Sequence, residues 1–201
     1  LMHLDNLRSL KLYFDVENRI DLSELAFALN IMNNLQNLAL TLKNNEDGAL
    51  VDFFGSISKD FSNLQSFELR SLFSKRIFHE MEAALNFLKR QKFLKALKFW
   101  IENNQKGPPL QPNVLELFYN QVSKFAEKLE TFEFSCHKCE SFSDKKTATT
   151  FSKLLKLMIS LKEVIIYFGE RYFIDAEIQN IFSWILKHER LNKISFGGDL
   201  S

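Results

Sequence analysis

A Leu-x-x-Leu-x-Leu phrase, with Phe, Val or Ile at some positions, recurs seven times along the 201-residue chain. Steps of 28, 29, 30, 35, 32 and 30 residues separate the middle apolar residues of the phrases, which are Leu10, Leu38, Phe67, Leu97, Phe132, Val164 and Ile194. A period of about 30 residues is typical of a stacked array, in which each turn buries its apolar face against the next. The sequence therefore predicts a single repeat domain over residues 1–201.

The second repeat shows what each unit contains. Within residues 35–42, apolar side chains alternate with small or polar ones from Leu38 onward, which predicts a strand with one buried face. A turn-rich segment follows, and then Leu50, Phe53, Phe54 and Ile57 stand at helical spacing. Repetition of strand and helix implies parallel strands. We therefore predict an α/β solenoid with about seven parallel strands on its inner curve and helices on its outer curve.

Two further features bear on this prediction. Asp21 and Asn113 each precede a Glu by three residues, the spacing of a capping box, so we expect helices to begin there. A doubly wound sheet would give the same order of elements, but it usually varies its strand sequences and carries a glycine-rich phosphate loop. Here each strand repeats one phrase, and the chain has only 6 glycines.

These phrases resemble the leucine-rich repeat family, and a helix in each unit makes them most similar to its ribonuclease-inhibitor-like subclass. The resemblance covers Leu4 to Phe196 and implies a horseshoe with a parallel inner sheet and outer helices. The family usually places Asn or Cys three residues after the last Leu of the phrase, where it ties neighbouring turns together. The residues at those places here are Asp15, Lys43, Leu72, Glu102, His137, Gly169 and Asp199. The array thus resembles a divergent member without an Asn ladder, for which Asn44, Asn45, Asn103 and Asn104 are the nearest substitutes.

Alternation along the strands predicts which side chains the inner curve exposes. If Leu38 and Leu40 point into the core, Ala39 and Thr41 point away from it. The two exposed columns then read Lys11, Ala39, Glu68, Lys98, Glu133, Ile165, Ser195 and Tyr13, Thr41, Arg70, Trp100, Ser135, Tyr167, Gly197. Parallel strands lie about 4.8 Å apart, so we expect Lys98 to neighbour Glu68 and Glu133, and Arg70 to stack on Trp100.

Aromatic residues and Arg are frequent anchors of protein interfaces. The predicted protein-binding residues are Lys11, Tyr13, Glu68, Arg70, Lys98, Trp100, Glu133 and Tyr167. The alternative is that Trp100 packs against the loop that follows its strand, while Tyr13 and Tyr167 are ordinary strand residues.

The chain contains little that indicates catalysis. Cys136-His137-Lys138-Cys139 offers too few ligands for zinc and follows a strand rather than opening a helix, so we interpret it as a plain strand-to-loop pair. Glu80 and Glu82 are expected on a solvated helix face, and the basic run at residues 89–92 at a solvated helix end, with phosphate contact as its alternative. Neither a phosphate-binding loop nor a nucleophile elbow is present. We therefore expect no enzyme activity, cofactor or metal.

Net charge and composition limit the classes of partner and the cellular setting that we expect. The net charge of +1 argues against nucleic acid as a partner, and no apolar run approaches the roughly 20 residues of a membrane span. Two cysteines indicate a reducing, intracellular and cytoplasmic setting. Neither end of the sequence resembles a polar cap, so we expect a fragment of a longer repeat protein, with flanking repeats of the same chain as neighbours.

These observations favour a non-enzymatic protein-interaction module that presents a concave sheet. One alternative is an architectural segment or subunit of a large assembly. Another is a GTPase-regulator-type repeat protein, a class that shares this repeat, although no residue motif here carries that activity over.

Overall fold

The computed structural model describes residues 4–15, 22–43, 49–73, 77–103, 112–137, 145–168 and 175–197. Strands and helices alternate along these residues. The strands are β1 (Ser9–Asp15), β2 (Asn37–Lys43), β3 (Ser66–Phe73), β4 (Ala96–Asn103), β5 (Thr131–His137), β6 (Glu163–Phe168) and β7 (Lys193–Gly197). The helices are α1 (Ser23–Ile31), α2 (Ala49–Ser56), α3 (Ile77–Lys89), α4 (Pro112–Val122), α5 (Lys145–Leu157) and α6 (Asp175–Ile185).

All seven strands form one parallel sheet, in the order in which they occur in the chain. The repeated phrases are in register, so that Leu38 pairs with Leu10 and with Phe67, and Phe132 pairs with Leu97 and Val164. A doubly wound sheet reverses its strand order at a switch point, and this sheet does not. The predicted α/β, solenoid-like layout of repeated strand–helix units is therefore confirmed.

The core lies between the sheet and the helices. Leu38, Phe67, Leu97 and Phe132 form one buried column along the sheet, each at most 1% exposed. The helices contribute a second buried layer, which includes Leu29, Phe53, Leu85, Phe118 and Leu155. The rings of Phe118 and Phe134 meet with their centroids 4.9 Å apart. Such ring pairs add roughly 0.5–1.5 kcal/mol beyond the burial of their area.

The helices all cover the same face of the sheet. Each helix packs against the next, and their buried side chains join those of the strands in a single cluster. The predicted capping boxes are wrong. The N-cap of α1 is Leu22, which makes no side-chain capping bond. Helix α4 begins at Pro112, so Asn113 is its second residue. Proline suits the first helical position because its missing N–H would have no intrahelical partner there.

Among the described residues, a backbone ladder ties neighbouring turns together. The carbonyl of Arg8 accepts hydrogen bonds from the amides of Gln36 and Asn37, at 2.8 and 2.9 Å. The residue just before each strand repeats this double bond at every later step, through the carbonyls of Gln36, Gln65, Lys95, Glu130 and Lys162. Because these are backbone groups, the ladder requires no particular side chain and tolerates the divergent positions that follow the strands.

Asparagine side chains do connect units, but at the opposite edge of the sheet from the one expected. Asn34 donates to the carbonyl of Asp5 at 2.8 Å, and Asn63 to the carbonyl of Asn33 at 3.3 Å. These residues lie in the turns that lead from helix to strand. Of the four predicted substitutes, Asn103 ends β4, whereas Asn44, Asn45 and Asn104 lie outside the described residues.

The last unit is covered much less than the middle units. The core-facing residues of β6, Val164 and Ile166, are 0% and 1% exposed. Their counterparts in β7, Ile194 and Phe196, are 45% and 36% exposed. The described residues contain no eighth strand beside β7, so nothing there covers its outer side.

Candidate protein-binding face

We call the sheet surface that the helices leave uncovered the open face, and its side chains run in straight columns across the strands. The strand register confirms both predicted columns, from Lys11 to Ser195 and from Tyr13 to Gly197. All eight predicted binding residues therefore lie on one face, whereas their role in binding stays a prediction.

The centre of the open face is a cluster built around Arg70. Arg70 and Trp100 are direct partners in β3 and β4, and the guanidinium group lies over the indole ring as predicted. The Nε atom of Arg70 also donates a 2.8 Å hydrogen bond to Oε1 of Glu68. The stack and the ion pair hold the guanidinium plane in place. Only the Nε atom of Arg70 donates a hydrogen bond. Its two terminal nitrogens have no partner among the described residues.

Trp100 adds a second unused donor to this cluster. It is only partly exposed, and its Nε1 atom is shielded from solvent without a hydrogen-bond partner in the described part of the chain. A buried indole N–H usually has a partner. The loop proposed to pack against Trp100 lies mostly outside the described residues, from position 104 onward.

The carboxylates of the open face are more buried than predicted. The Nζ atom of Lys98 lies 3.4 Å from Oε2 of Glu133, as the register implies. Glu133 itself is buried, however, and so is its neighbour Ser135. The prediction of an exposed Glu133 is therefore wrong, because Lys98 and Ile165 flank it from the adjacent strands.

The outer members of the set lie apart from this cluster. Tyr13 on β1 is 56% exposed, and Nζ of Lys43 lies 5.5 Å from its ring centroid. Lys11 on the same strand is exposed too. Tyr167 on β6 is partly covered and lies against Gly197, where an added Cβ would approach its Cδ2 to 2.5 Å. The predicted residues thus form one central group with outliers on β1 and β6.

A second group of charges lies at the edge where the strands begin. The Nζ atoms of Lys95 and Lys162 lie 3.0 and 2.6 Å from the carboxylate of Glu130, and Lys193 pairs with Glu163. Hydrogen bonds from Lys162 and Lys95 hold the pKa of Glu130 below its ordinary value. This group of charges was not predicted from the sequence. Its signal was the alternation of Lys95, Glu130 and Lys162 just before β4, β5 and β6, and of Glu163 and Lys193 at the first positions of β6 and β7.

The cysteine motif differs from the plain pair that we expected. Cys136 is fully buried near the end of β5 and is disulfide-bonded, while Cys139 lies outside the described residues. A disulfide-bonded Cys136 carries no thiolate, and the next described helix, α5, begins only at Lys145. Within the described ranges, no three His, Cys, Asp or Glu side chains cluster as metal ligands.

Two other polar predictions are corrected. Glu80 was expected on a solvated helix face, but it is fully buried in α3. The basic run at the end of α3 is solvated only in part: Lys89 and Lys92 are exposed as expected, whereas Nη2 of Arg90 donates to the carbonyl of Ile57 at 2.6 Å. Its neighbour Gln91 is buried, accepts from the amide of Phe61 and donates to the carbonyl of Phe87. These two residues bind adjacent units together.

No helix among the described residues has both the length and the apolar character that crossing a bilayer requires. The sequence matches no model of a known protein family, and comparison with curated proteins finds no relative. Function must therefore be inferred from the geometry of the open face.

Proposed function

We propose that this chain is a non-enzymatic protein-binding repeat domain whose open face holds its partner around Arg70 and Trp100. The observation that carries the proposal is the guanidinium of Arg70 stacked on Trp100 and bonded to Glu68. Arg and Trp are the residue types that most often dominate binding energy at interfaces. Their order before binding reduces the entropy that a partner loses when it docks.

The unused donors of the cluster define the chemistry of the partner. The terminal nitrogens of Arg70 match the two oxygens of a carboxylate, so we expect an acidic side chain of the partner at this point. The Nε1 donor of Trp100 matches a carbonyl oxygen. An acceptor on the partner would give this buried N–H group the hydrogen bond that it lacks. A buried donor without a hydrogen bond costs roughly 1–3 kcal/mol.

The proposal includes the shape of the stack. We propose that the units curve as in leucine-rich repeat proteins of the ribonuclease-inhibitor-like subclass, with the open face on the concave side. The single helix per unit, the unit length and the in-register parallel sheet support this curvature. On a concave face, side chains from several strands can reach one partner at once.

The test is a binding measurement with three variants of the intact chain. Proteins captured by the immobilised domain are identified, and the affinity of the strongest binder is measured. We expect Arg70→Glu and Trp100→Ala each to weaken it at least about tenfold. Lys156→Glu, which makes the same charge change on the exposed surface of α5, should leave it unchanged. Unchanged affinity in both cluster variants, with melting curves like that of the wild type, would remove the proposal.

A second candidate is an architectural segment of a larger assembly. The observation that favours it is the exposed apolar side of β7, where Ile194 and Phe196 are 45% and 36% exposed. The state of the purified chain separates the two functions. A monodisperse monomer supports the binding module, whereas aggregation that a neighbouring subunit relieves supports the architectural role.

A further inference from the structure

We infer that the edge of the sheet where β4, β5 and β6 begin is a docking surface for an anionic lipid membrane. We call it the strand-start edge, and it consists of the turns at residues 90–96, 123–131 and 158–163. These turns lie side by side, because the strands that follow them are neighbours in the sheet. The inference goes beyond the proposed binding of a protein, which uses the middle of the strands on the open face.

Two large apolar side chains on the strand-start edge are exposed to solvent. Phe93 is 57% exposed in the turn before β4, and Ile159 is 62% exposed in the turn before β6. One strand lies between β4 and β6, so the two turns are roughly 10 Å apart. Neither residue belongs to the apolar cluster between the sheet and the helices. Packing of the fold therefore does not account for a large apolar side chain at either place.

Earlier units carry asparagine at the place of Phe93, immediately before the first apolar residue of the phrase. These residues are Asn34 and Asn63. Their side-chain amides donate to backbone carbonyls of the preceding unit. Asparagine thus fits this place and adds a hydrogen bond between units, whereas Phe93 lacks that bond and exposes a ring instead. Such an exchange favours contact with a partner over stability of the stack.

Positive charge surrounds the two apolar side chains. The three turns contain six Lys and Arg residues and three Glu, whereas the whole chain has a net charge of +1. Lys92 and Lys128 are exposed and make no ion pair among the described residues. Glu130 is shared by Lys95 and Lys162, so this group keeps one net positive charge. Such a surface is attracted to the headgroups of anionic lipids.

A membrane fits this edge better than an acidic protein or a nucleic acid does. The charged turn at Ala126–Lys128 separates Phe93 from Ile159, so the two side chains do not form one continuous patch. A fluid lipid surface admits separate apolar side chains between its headgroups, while its phosphates contact the lysines. A protein would need a pocket for each side chain. Nucleic acid bases stack on rings such as that of Phe93, but gain little from the branched chain of Ile159.

The experiment measures cosedimentation of the intact chain with vesicles. We expect binding to phosphatidylcholine vesicles that contain about 30% phosphatidylserine, and at least about tenfold weaker binding to phosphatidylcholine alone. Phe93→Asn combined with Ile159→Ser should weaken the binding at least about tenfold without lowering the melting temperature, because Asn63 and Ser62 occupy the same places one unit earlier. Phe27→Asn removes a ring that is 65% exposed on α1, and this matched control should leave binding unchanged.

Charge variants provide a second measurement on the same edge. Lys92→Gln should weaken vesicle binding roughly fivefold, and Glu127→Gln, at an exposed position, should strengthen it roughly fivefold. A gain in binding cannot result from unfolding. The inference is overturned if the folded wild type does not bind the anionic vesicles, or if the double variant binds them as the wild type does. Binding to soluble polyglutamate or to single-stranded DNA, without binding to vesicles, would assign the edge to a protein or a nucleic acid and would overturn it too.

Discussion

The middle of the stack and its last unit contain the same apolar phrase in opposite surroundings. Phe132 on β5 is fully buried between β4 and β6, whereas Ile194 at the equivalent place on β7 is 45% exposed. The two strands share their direction and their register with the rest of the sheet. Burial in a stacked repeat is thus a property of the neighbouring unit, because each turn covers the apolar face of the turn before it.

The largest expected effect is a difference in the loss of stability between alanine substitutions at these two positions. Phe132→Ala should lower the free energy of unfolding by roughly 3–5 kcal/mol, because it removes a fully buried ring and leaves a cavity. Ile194→Ala should cost less than about 1 kcal/mol, because half of the side chain already contacts water. Urea unfolding of both variants measures the difference, and equal losses would show that the last unit is as well covered as the middle.

A smaller loss of stability is expected when a side-chain hydrogen bond between neighbouring units is removed. Gln91→Leu should cost roughly 1–3 kcal/mol, because it leaves the buried amide of Phe61 without its 3.0 Å acceptor. Gln65→Leu, at an exposed position just before β3, is the matched control and should change stability by less than about 0.5 kcal/mol. Thermal unfolding of the two variants checks this. A loss no larger for Gln91→Leu than for its control would mean that water replaces the missing bond.

The smallest expected effect concerns the charges at the strand-start edge. The folded-state pKa of Glu130 is lowered from 4.5 by Lys162 and Lys95, so its contribution to stability is present above pH 4.5 and is lost as pH falls through the folded pKa. The pair is near the surface, so Glu130→Gln should cost no more than roughly 0.5 kcal/mol at neutral pH.

The pH and salt dependence of that cost identifies its origin. The difference between wild type and Glu130→Gln should shrink in acid and in about 1 M salt, where screening is strong. Glu127→Gln, an exposed neighbour in the short 3-10 turn that precedes β5, is the control. A difference that persists unchanged at low pH would mean that packing rather than charge is responsible.

The two side-chain columns of the open face were predicted from the sequence, but the burial of individual side chains was not. The alternation in Leu38-Ala39-Leu40 sufficed to predict both columns, and with them the stack of Arg70 on Trp100. The burial of Glu133 could not be read from its own strand, because it depends on Lys98 and Ile165 in the adjacent strands.

The hydrogen bonds between units likewise could not be predicted from the sequence pattern. Side-chain ties were expected after the strands, where most residues lie outside the described ranges. Within those ranges, the turns are tied through backbone carbonyls before the strands and through residues such as Asn34 and Arg90. The capping boxes at Asp21 and Asn113 also failed, since helix boundaries respond to packing as well as to local spacing.

The sequence by itself determined the number, direction and register of the strands, because a period-2 pattern repeated at nearly constant spacing allows only one way to bury every apolar side chain. The tertiary structure alone decided which charges pair, which carboxylates are covered and where the apolar surface stays exposed. Apart from the pair of Arg70 with Glu68, those outcomes depend on distances between residues about 30 positions apart in the chain, which are set only when one turn stacks on the next.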